Sequence, residues 1–237
     1  MISIVLVFSL LFPLGFVFYS SVENSAPVVK IEKPLNKDYF SGDSPIYYSV
    51  KVEDKEDGNS DFQEIISKEV FLKAWFYSGT LSQYEKKRHD FYDPEEIALS
   101  RMAGAGCFNC HAFEEKVIGP SWRSVSGRYK EGEKVMGSLI QKVREGATGV
   151  WGEEKMPAHP DLKKEEVMEI VKWILHYGEQ QNFRYYVGLK GVIPASEVKT
   201  KGVEGMLVLS ASYTDHGVNG EFRKRGSDSI VLINTRK

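Results

Sequence analysis

The 237-residue sequence has only two cysteines, Cys107 and Cys110, so no second Cys pair is present to complete a Cys-rich zinc site. It also lacks a strong charge of either sign: the formal net charge is −2 and no segment is basic enough to bind nucleic acid. Residues 1–19 contain no charged side chain and are rich in Ile, Val, Leu and Phe, a pattern that points to membrane insertion during export. No Cys follows this run, which excludes a lipoprotein anchor. The run has no Lys or Arg at its start and is interrupted by Pro13 and Gly15. Residues 1–22 therefore read as a signal peptide or a retained membrane anchor, with a buried core helix as a third reading. A hydrophobic content of 42% is ample for packed cores in one large or two small domains.

The two cysteines stand in Cys107-Phe108-Asn109-Cys110-His111. A Cys-x-x-Cys-His string is a c-type haem attachment signal. Two thiols three positions apart can each add across a vinyl group of one protoporphyrin, and the adjacent imidazole then falls under the iron as an axial ligand. A thioredoxin-like redox pair would need a βαβ setting, whereas the flanks here read as helix and Gly-rich loop. One covalent haem c with its iron is the expected cofactor. Haem c is attached on the outer side of the bacterial cytoplasmic membrane, so the exported leader and the motif agree.

On either side of the motif the chain reads as β-structure. Alternating apolar and polar residues predict strands at Val28-Val29-Lys30-Ile31, over residues 46–52 and over residues 69–77. Residues 53–61 carry five Asp or Glu side chains, which raises calcium, but the spacing fits no EF-hand loop. They read as an acidic solvated turn. Residues 82–93 read as a charged connection. Further strands are predicted over 183–187, 205–213 and 229–233, separated by turns at Asp215-His216-Gly217 and Asn219-Gly220. The basic run Arg223-Lys224-Arg225 reads as a solvated loop rather than a docking site for an acidic partner.

Between these strands the periodicity is helical. Asp93 would cap a helix with Pro94 in its first turn and Glu95 and Glu96 at its positive end. Residues 93–180 resemble a small bacterial class I cytochrome c: a helix, Cys-x-x-Cys-His, Gly119-Pro120, a middle helix, a Trp151-Gly152 then Met156-Pro157 loop, and a final amphipathic helix. The resemblance implies thioether anchors at Cys107 and Cys110 and a proximal ligand at His111. It also implies that the Gly-Pro pair supplies a backbone carbonyl, at Pro120, to the other imidazole nitrogen, and that the Trp151 indole bonds a haem propionate. Met102, Met136, Met168 and Met206 fall within helical or strand patterns or too close to Cys107. Met156 lies 46 residues after Cys110 in a Gly-rich loop that resembles the family's distal side. His159 is the rival sixth ligand; Pro160 and the Met-Pro pattern favour Met156, and His159 reads as a surface residue. Val135, Leu139, Ile140 and Val143, and Val167, Ile170, Val171, Ile174 and Leu175, recur on single helix faces and would form a dry wall.

The expected fold is thus multidomain: an all-α class I cytochrome c domain (residues 93–180) plus an all-β immunoglobulin-like sandwich. The closing strands resemble those of bacterial immunoglobulin-like modules that accompany cytochromes c in some secreted oxidoreductases. A sandwich takes roughly 100 residues, more than residues 27–80 or 181–237 alone supply. One discontinuous sandwich with the cytochrome inserted is therefore expected, with two separate β domains as the alternative. Both axial iron positions occupied implies an electron carrier, not an enzyme, serving periplasmic redox partner proteins such as a secreted dehydrogenase, in the periplasm or on the outer face of the cytoplasmic membrane. The competing readings are a haem enzyme or gas sensor with an open sixth position, and a polysaccharide-binding β module presenting Tyr47, Trp75, Tyr77 or Tyr186 with the cytochrome as its cargo.

Overall fold

Strand β3 (Ile46–Asp54) buries every second residue, Ile46, Tyr48, Val50, Val52 and Asp54, so alternation alone fixes its apolar face. The computed structural model describes residues 23–87, 96–130, 132–179, 183–197, 205–218 and 222–235. The apolar run of residues 1–22, the expected helix start at Asp93-Pro94 and the Asn219-Gly220 turn lie outside the described residues. β3 pairs antiparallel with β1 (Val28–Lys33), which adds Val29 and Ile31 to the same face. β4 (Gly58–Asn59) and β7 (Lys190–Ile193) also pair with β3 and complete a four-stranded sheet.

The second sheet has five strands in the order β2 (Tyr39–Phe40), β9 (Arg225–Asn234), β8 (Gly205–Thr214), β5 (Val70–Ser78) and β6 (Phe183–Val187). All its pairings are antiparallel except that of β2 with β9. β5 runs beside β8 from Val70 opposite Tyr213 to Ser78 opposite Gly205. Strands from both sides of the cysteines thus share a sheet, and Val50, Val52, Leu72, Leu207, Leu209 and Leu232 share one core between the two sheets. The short β7 was absent from the sequence expectation because Lys190-Gly191-Val192-Ile193 has too few residues to show a period.

Alternation also gives the five-stranded sheet an outer face. Val70, Leu72 and Ala74 point into the shared core, whereas Phe71 joins Tyr185 of β6 in a second cluster with the helices. Helix α1 (Leu81–Lys87) corrects the expected charged connection: Leu81 and Tyr84, nearly one turn apart among polar residues, pack against Met206, Val208 and Val231. The remaining helices are α2 (Glu96–Gly104), α3 (Trp122–Arg128), α4 (Glu133–Glu145) and α5 (Lys164–Glu179). Two stripes make α5 the hub. Val167, Val171 and Leu175 meet Leu139 and Ile140 of α4, while Ile170, Trp173, Ile174 and Tyr177 meet Leu99 and Met102 of α2, Trp122 and Val125 of α3, and the outer face of the sheet. Arg123 binds the Tyr177 and Gly178 carbonyls at 3.0 and 3.2 Å, satisfying groups that the last turn of α5 leaves free. Among the described residues no helix is long and apolar enough to cross a membrane.

The acidic stretch at residues 53–61 is not merely solvated. Asp54 is buried and accepts the backbone N–H groups of Glu56 and Asp57 at 2.9 and 2.7 Å. Asp57 accepts the Tyr213 hydroxyl at 2.6 Å and the His216 N–H at 2.9 Å. The His216 ring lies 3.1 Å from Asp57 through Nδ1 and 3.0 Å from Glu69 through Nε2. Burial pushes His216 down, but the carboxylates of Glu69 and Asp57 outweigh it and hold the imidazole above its ordinary value. A raised folded-state value gives a contribution to stability that is complete below the unfolded value, about 6.5, and lost as pH rises through the folded one. The stability advantage of wild type over His216→Gln is therefore expected to be complete below about pH 6.5 and to shrink over the range above it, measured by urea denaturation. An advantage constant across that range would contradict the assignment. In the basic run Arg223 and Lys224 are exposed, as expected of a solvated loop, yet each has a partner: Lys224 donates to the Asn24 carbonyl at 2.6 Å and Arg223 reaches Ser100 of α2 at 3.3 Å.

Candidate functional site

Helix α2 ends at Gly104, and Gly106 takes a left-handed φ of 73° that turns the chain into the 3-10 turn Cys107–Asn109. The N–H groups of Cys110 and His111 both donate to the Cys107 carbonyl, at 3.2 and 3.0 Å, so both thiols and the imidazole hang from one tight turn. His111 is buried, and its Nδ1–H donates to the Pro120 carbonyl at 2.7 Å. That bond fixes the tautomer and leaves Nε2 as the lone-pair nitrogen. Burial pushes the His111 pKa down, against the pull of the Pro120 bond, and the nearby His159 adds to the lowering.

The ring is enclosed on both faces. Trp122 stacks on it with centroids 4.3 Å apart and planes 17° apart. Gly119 lies so close that a Cβ there would sit 2.3 Å from His111 Cε1, and its N–H donates to the Cys110 carbonyl at 2.8 Å. Ser121, whose Oγ accepts the Ser124 N–H at 3.1 Å, caps α3 and so presents Trp122 in its first turn. Trp122 escaped the sequence reading; its place two residues after Gly-Pro, opening a short helix, was the available signal.

All six residues singled out in the sequence, Cys107, Cys110, His111, Pro120, Trp151 and Met156, line one cavity. Met156 is held by its backbone: it exchanges hydrogen bonds with Ala147, N–H to carbonyl at 2.8 Å and 3.2 Å, and the intervening loop closes through Gly149 N–H to Gly152 O at 3.0 Å. Gly146, which follows α4 at a φ of 84°, makes this possible, since a Cβ there would lie 2.8 Å from the Met156 carbonyl oxygen. Its position just past an amphipathic helix was a readable signal. Trp151 is braced by Tyr129 (6.4 Å between centroids) and by the Arg128 guanidinium 5.0 Å over its ring.

His159 departs from the surface position expected of it. It is half-buried and lines the same cavity, because its N–H is tied to the Val143 carbonyl at the end of α4, at 3.0 Å. The four aromatics proposed as a polysaccharide platform do not form one exposed face. Only Tyr47 is largely exposed, at 69%; Trp75 and Tyr77 pack around Tyr84, and Tyr186 packs on the core with its hydroxyl donating to Glu197.

The chemistry of the lining suits the covalent tetrapyrrole that the motif implies. Burial chiefly, with Cys110 adding, pushes the Cys107 thiol up to about 11, so it stays protonated at neutral pH, unlike the reactive thiol of a thioredoxin-like pair. Val125, Ile170, Val171 and Ile174 make the wall apolar. The buried Trp122 indole N–H, also at the lining, has no partner among the described residues. Thiols, a tautomer-fixed imidazole and a thioether share this wall, as a haem with two protein axial ligands requires.

No protein-family model matches the chain. Over 70 residues it is 33% identical to cytochrome c-551 of Azotobacter vinelandii, which takes in 30% of this chain and 84% of that protein. Over 86 residues it is 36% identical to cytochrome c2 of Rhodocyclus tenuis, 34% of this chain and 90% of that protein. Among solved structures, wild-type cytochrome c552 of Nitrosomonas europaea aligns with 28% identity over 32% of this chain and 94% of its own, with a TM-score of 0.31.

Proposed function

Since this chain belongs to the family of small bacterial cytochromes c, we propose that it is a one-electron carrier holding one covalent haem c. Cys107 and Cys110 are its thioether anchors, His111 its proximal ligand, Met156 its sixth ligand and Trp151 a donor to a propionate. The observation that carries this reading is the convergence of those residues on one apolar cavity, with the His111 tautomer already fixed by Pro120. When bound, the haem supplies an iron that gains and loses one electron.

The protein groups do the rest. Pro120 holds the Nδ1 proton and so keeps Nε2 directed as a donor, while Trp122 and Gly119 stop the ring from turning. The apolar wall excludes water, which with a thioether ligand favours a relatively high potential. Two protein ligands leave no position for a substrate, so the protein transfers electrons and is not an enzyme. The strands around the haem segment form a single discontinuous immunoglobulin-like sandwich, a reading supported by the β5–β8 pairing and the common core. The protein works in the periplasm or at the outer face of the cytoplasmic membrane, where it serves an exported redox partner of the dehydrogenase class. Residues 1–22 are its signal peptide or membrane anchor.

The test is maturation in a host able to attach haem c. The purified chain is expected to gain the mass of one haem that survives denaturation and to show a reduced-minus-oxidised difference spectrum of the c type. The Cys107→Ala, Cys110→Ala double variant is expected to retain no covalent haem. A wild-type chain without covalent haem under these conditions would overturn the function.

A further inference from the structure

Both residues between the cysteines meet the β region, Phe108 as a buried ring and Asn109 as an exposed amide. Asn109 accepts a hydrogen bond from the ammonium of Lys68, just before β5, at 2.8 Å. The buried Phe108 ring lies 5.3 Å from Phe71 of β5, 5.4 Å from Phe113 and, edge-on, 6.4 Å from Trp122. Trp122 in turn lies flat on His111. An unbroken series of ring contacts therefore runs from a sheet strand to the imidazole. Two further ties hold the region beside it: Phe113 stacks on Tyr185 of β6 at 5.4 Å, and Glu114 lies 3.5 Å from Arg184.

We propose that Lys68 and Phe71 are positioning residues for the haem-attachment turn, and that through them the β region tunes the reduction potential. The inference rests on the haem reading above and names what regulates that same site. Lys68 meets a neutral amide, which leaves its positive charge uncancelled at the turn that carries both thioethers. A cation near an iron favours the state with one electron more. Because Lys68 and Asn109 are exposed, salt screens the effect. Phe71 acts by contact: it backs Phe108, which backs Trp122, so removing its ring loosens the enclosure of His111 from behind.

Redox titration of the haem-loaded wild type, Lys68→Arg, Lys68→Gln and Lys68→Glu at low and high salt tests the charge. At a fixed poise and low salt the ferrous-to-ferric ratio is expected to match wild type in Lys68→Arg, to fall roughly twofold in Lys68→Gln and roughly fourfold in Lys68→Glu, and to converge at high salt. Amide hydrogen exchange tests the contact. Phe71→Ala is expected to speed exchange about tenfold at residues 107–111 while β8 stays as protected as in wild type. Phe71→Leu, which keeps an apolar side chain at the site but loses the ring contact, serves the same test if the alanine variant fails to fold. A Lys68→Glu protein with the wild-type ratio at low salt would overturn the charge role, and unchanged exchange at residues 107–111 in both Phe71 variants the contact role. Absence of covalent haem from wild type would instead remove the carrier reading, so the two failures are distinguishable.

Discussion

Met156→Ala is expected to change the visible spectrum of the oxidised protein and to lower its reduction potential by on the order of 0.2 V, a fraction of the ~0.8 V span that axial ligands cover. Met156 lines the cavity with His111, and its backbone is pinned to Ala147 in both directions, so truncating the side chain removes the thioether without freeing the loop. His159 complicates the outcome in an informative way. It lines the same cavity three residues on, and in Met156→Ala it is placed to take the vacated position, giving the low-spin spectrum of a bis-imidazole site. The Met156→Ala, His159→Ala double variant then has no replacement and is expected to become high-spin and to bind carbon monoxide. A Met156→Ala spectrum identical to wild type would sink the thioether assignment.

Gly119→Ala is expected to destabilise the protein by about 2–3 kcal/mol, the upper part of the range for overpacking a filled site. The added methyl would lie 2.3 Å from Cε1 of His111 and 2.8 Å from each ring nitrogen. The ring cannot retreat, because Trp122 occupies its other face at 4.3 Å and Pro120 holds Nδ1 at 2.7 Å. Any relief must break the stack or the hydrogen bond, so the loss of stability is expected to come with a perturbed haem spectrum. Gly137→Ala in α4 is the control. Nothing lies within 4 Å of a Cβ there, and alanine is the better helix former by about 1 kcal/mol, so it is expected to stabilise slightly. Urea denaturation compares the two; equal stability of Gly119→Ala and Gly137→Ala would contradict the packing account.

The helical part of the fold was legible because its signals are local. The stripe through Val167, Ile170, Val171 and Ile174 needs only a 3.6-residue period, and the turn with Cys107, Cys110 and His111 carries its chemistry in five residues. The β strands were legible one by one for the same reason. What local signals could not supply were contacts across long separations. The role of Asp57 depends on Tyr213 and His216, and that of Lys68 on Asn109, so each looks like an ordinary surface charge until the chain is folded. Helix α1 was hidden by composition: Lys and Glu around Tyr84 read as a connection because two apolar anchors are too few to establish a period. His159 was misjudged because only its backbone bond to Val143 turns it toward the cavity.

The pairing of β5 with β6 bears on how such a chain is made. β5 ends at Ser78 and β6 begins at Phe183, yet Phe183 lies opposite Trp75, so the chain returns beside the strand it left. The pair is in effect a hairpin whose turn contains, among the described residues, the five helices α1 to α5 and the attachment turn. Closing so long a loop from an open chain is slow, because non-local pairing must meet the entropy of closure first. If the helices assemble beforehand, the two strand ends arrive already adjacent and the remaining loop is short. Synthesis proceeds from the N-terminus, so Cys107, Cys110 and Met156 emerge before β8 and β9, the strands that fill the middle of the five-stranded sheet. The vinyl additions at the cysteines can therefore precede completion of the sheet, whose closure waits for the last strands of the polypeptide.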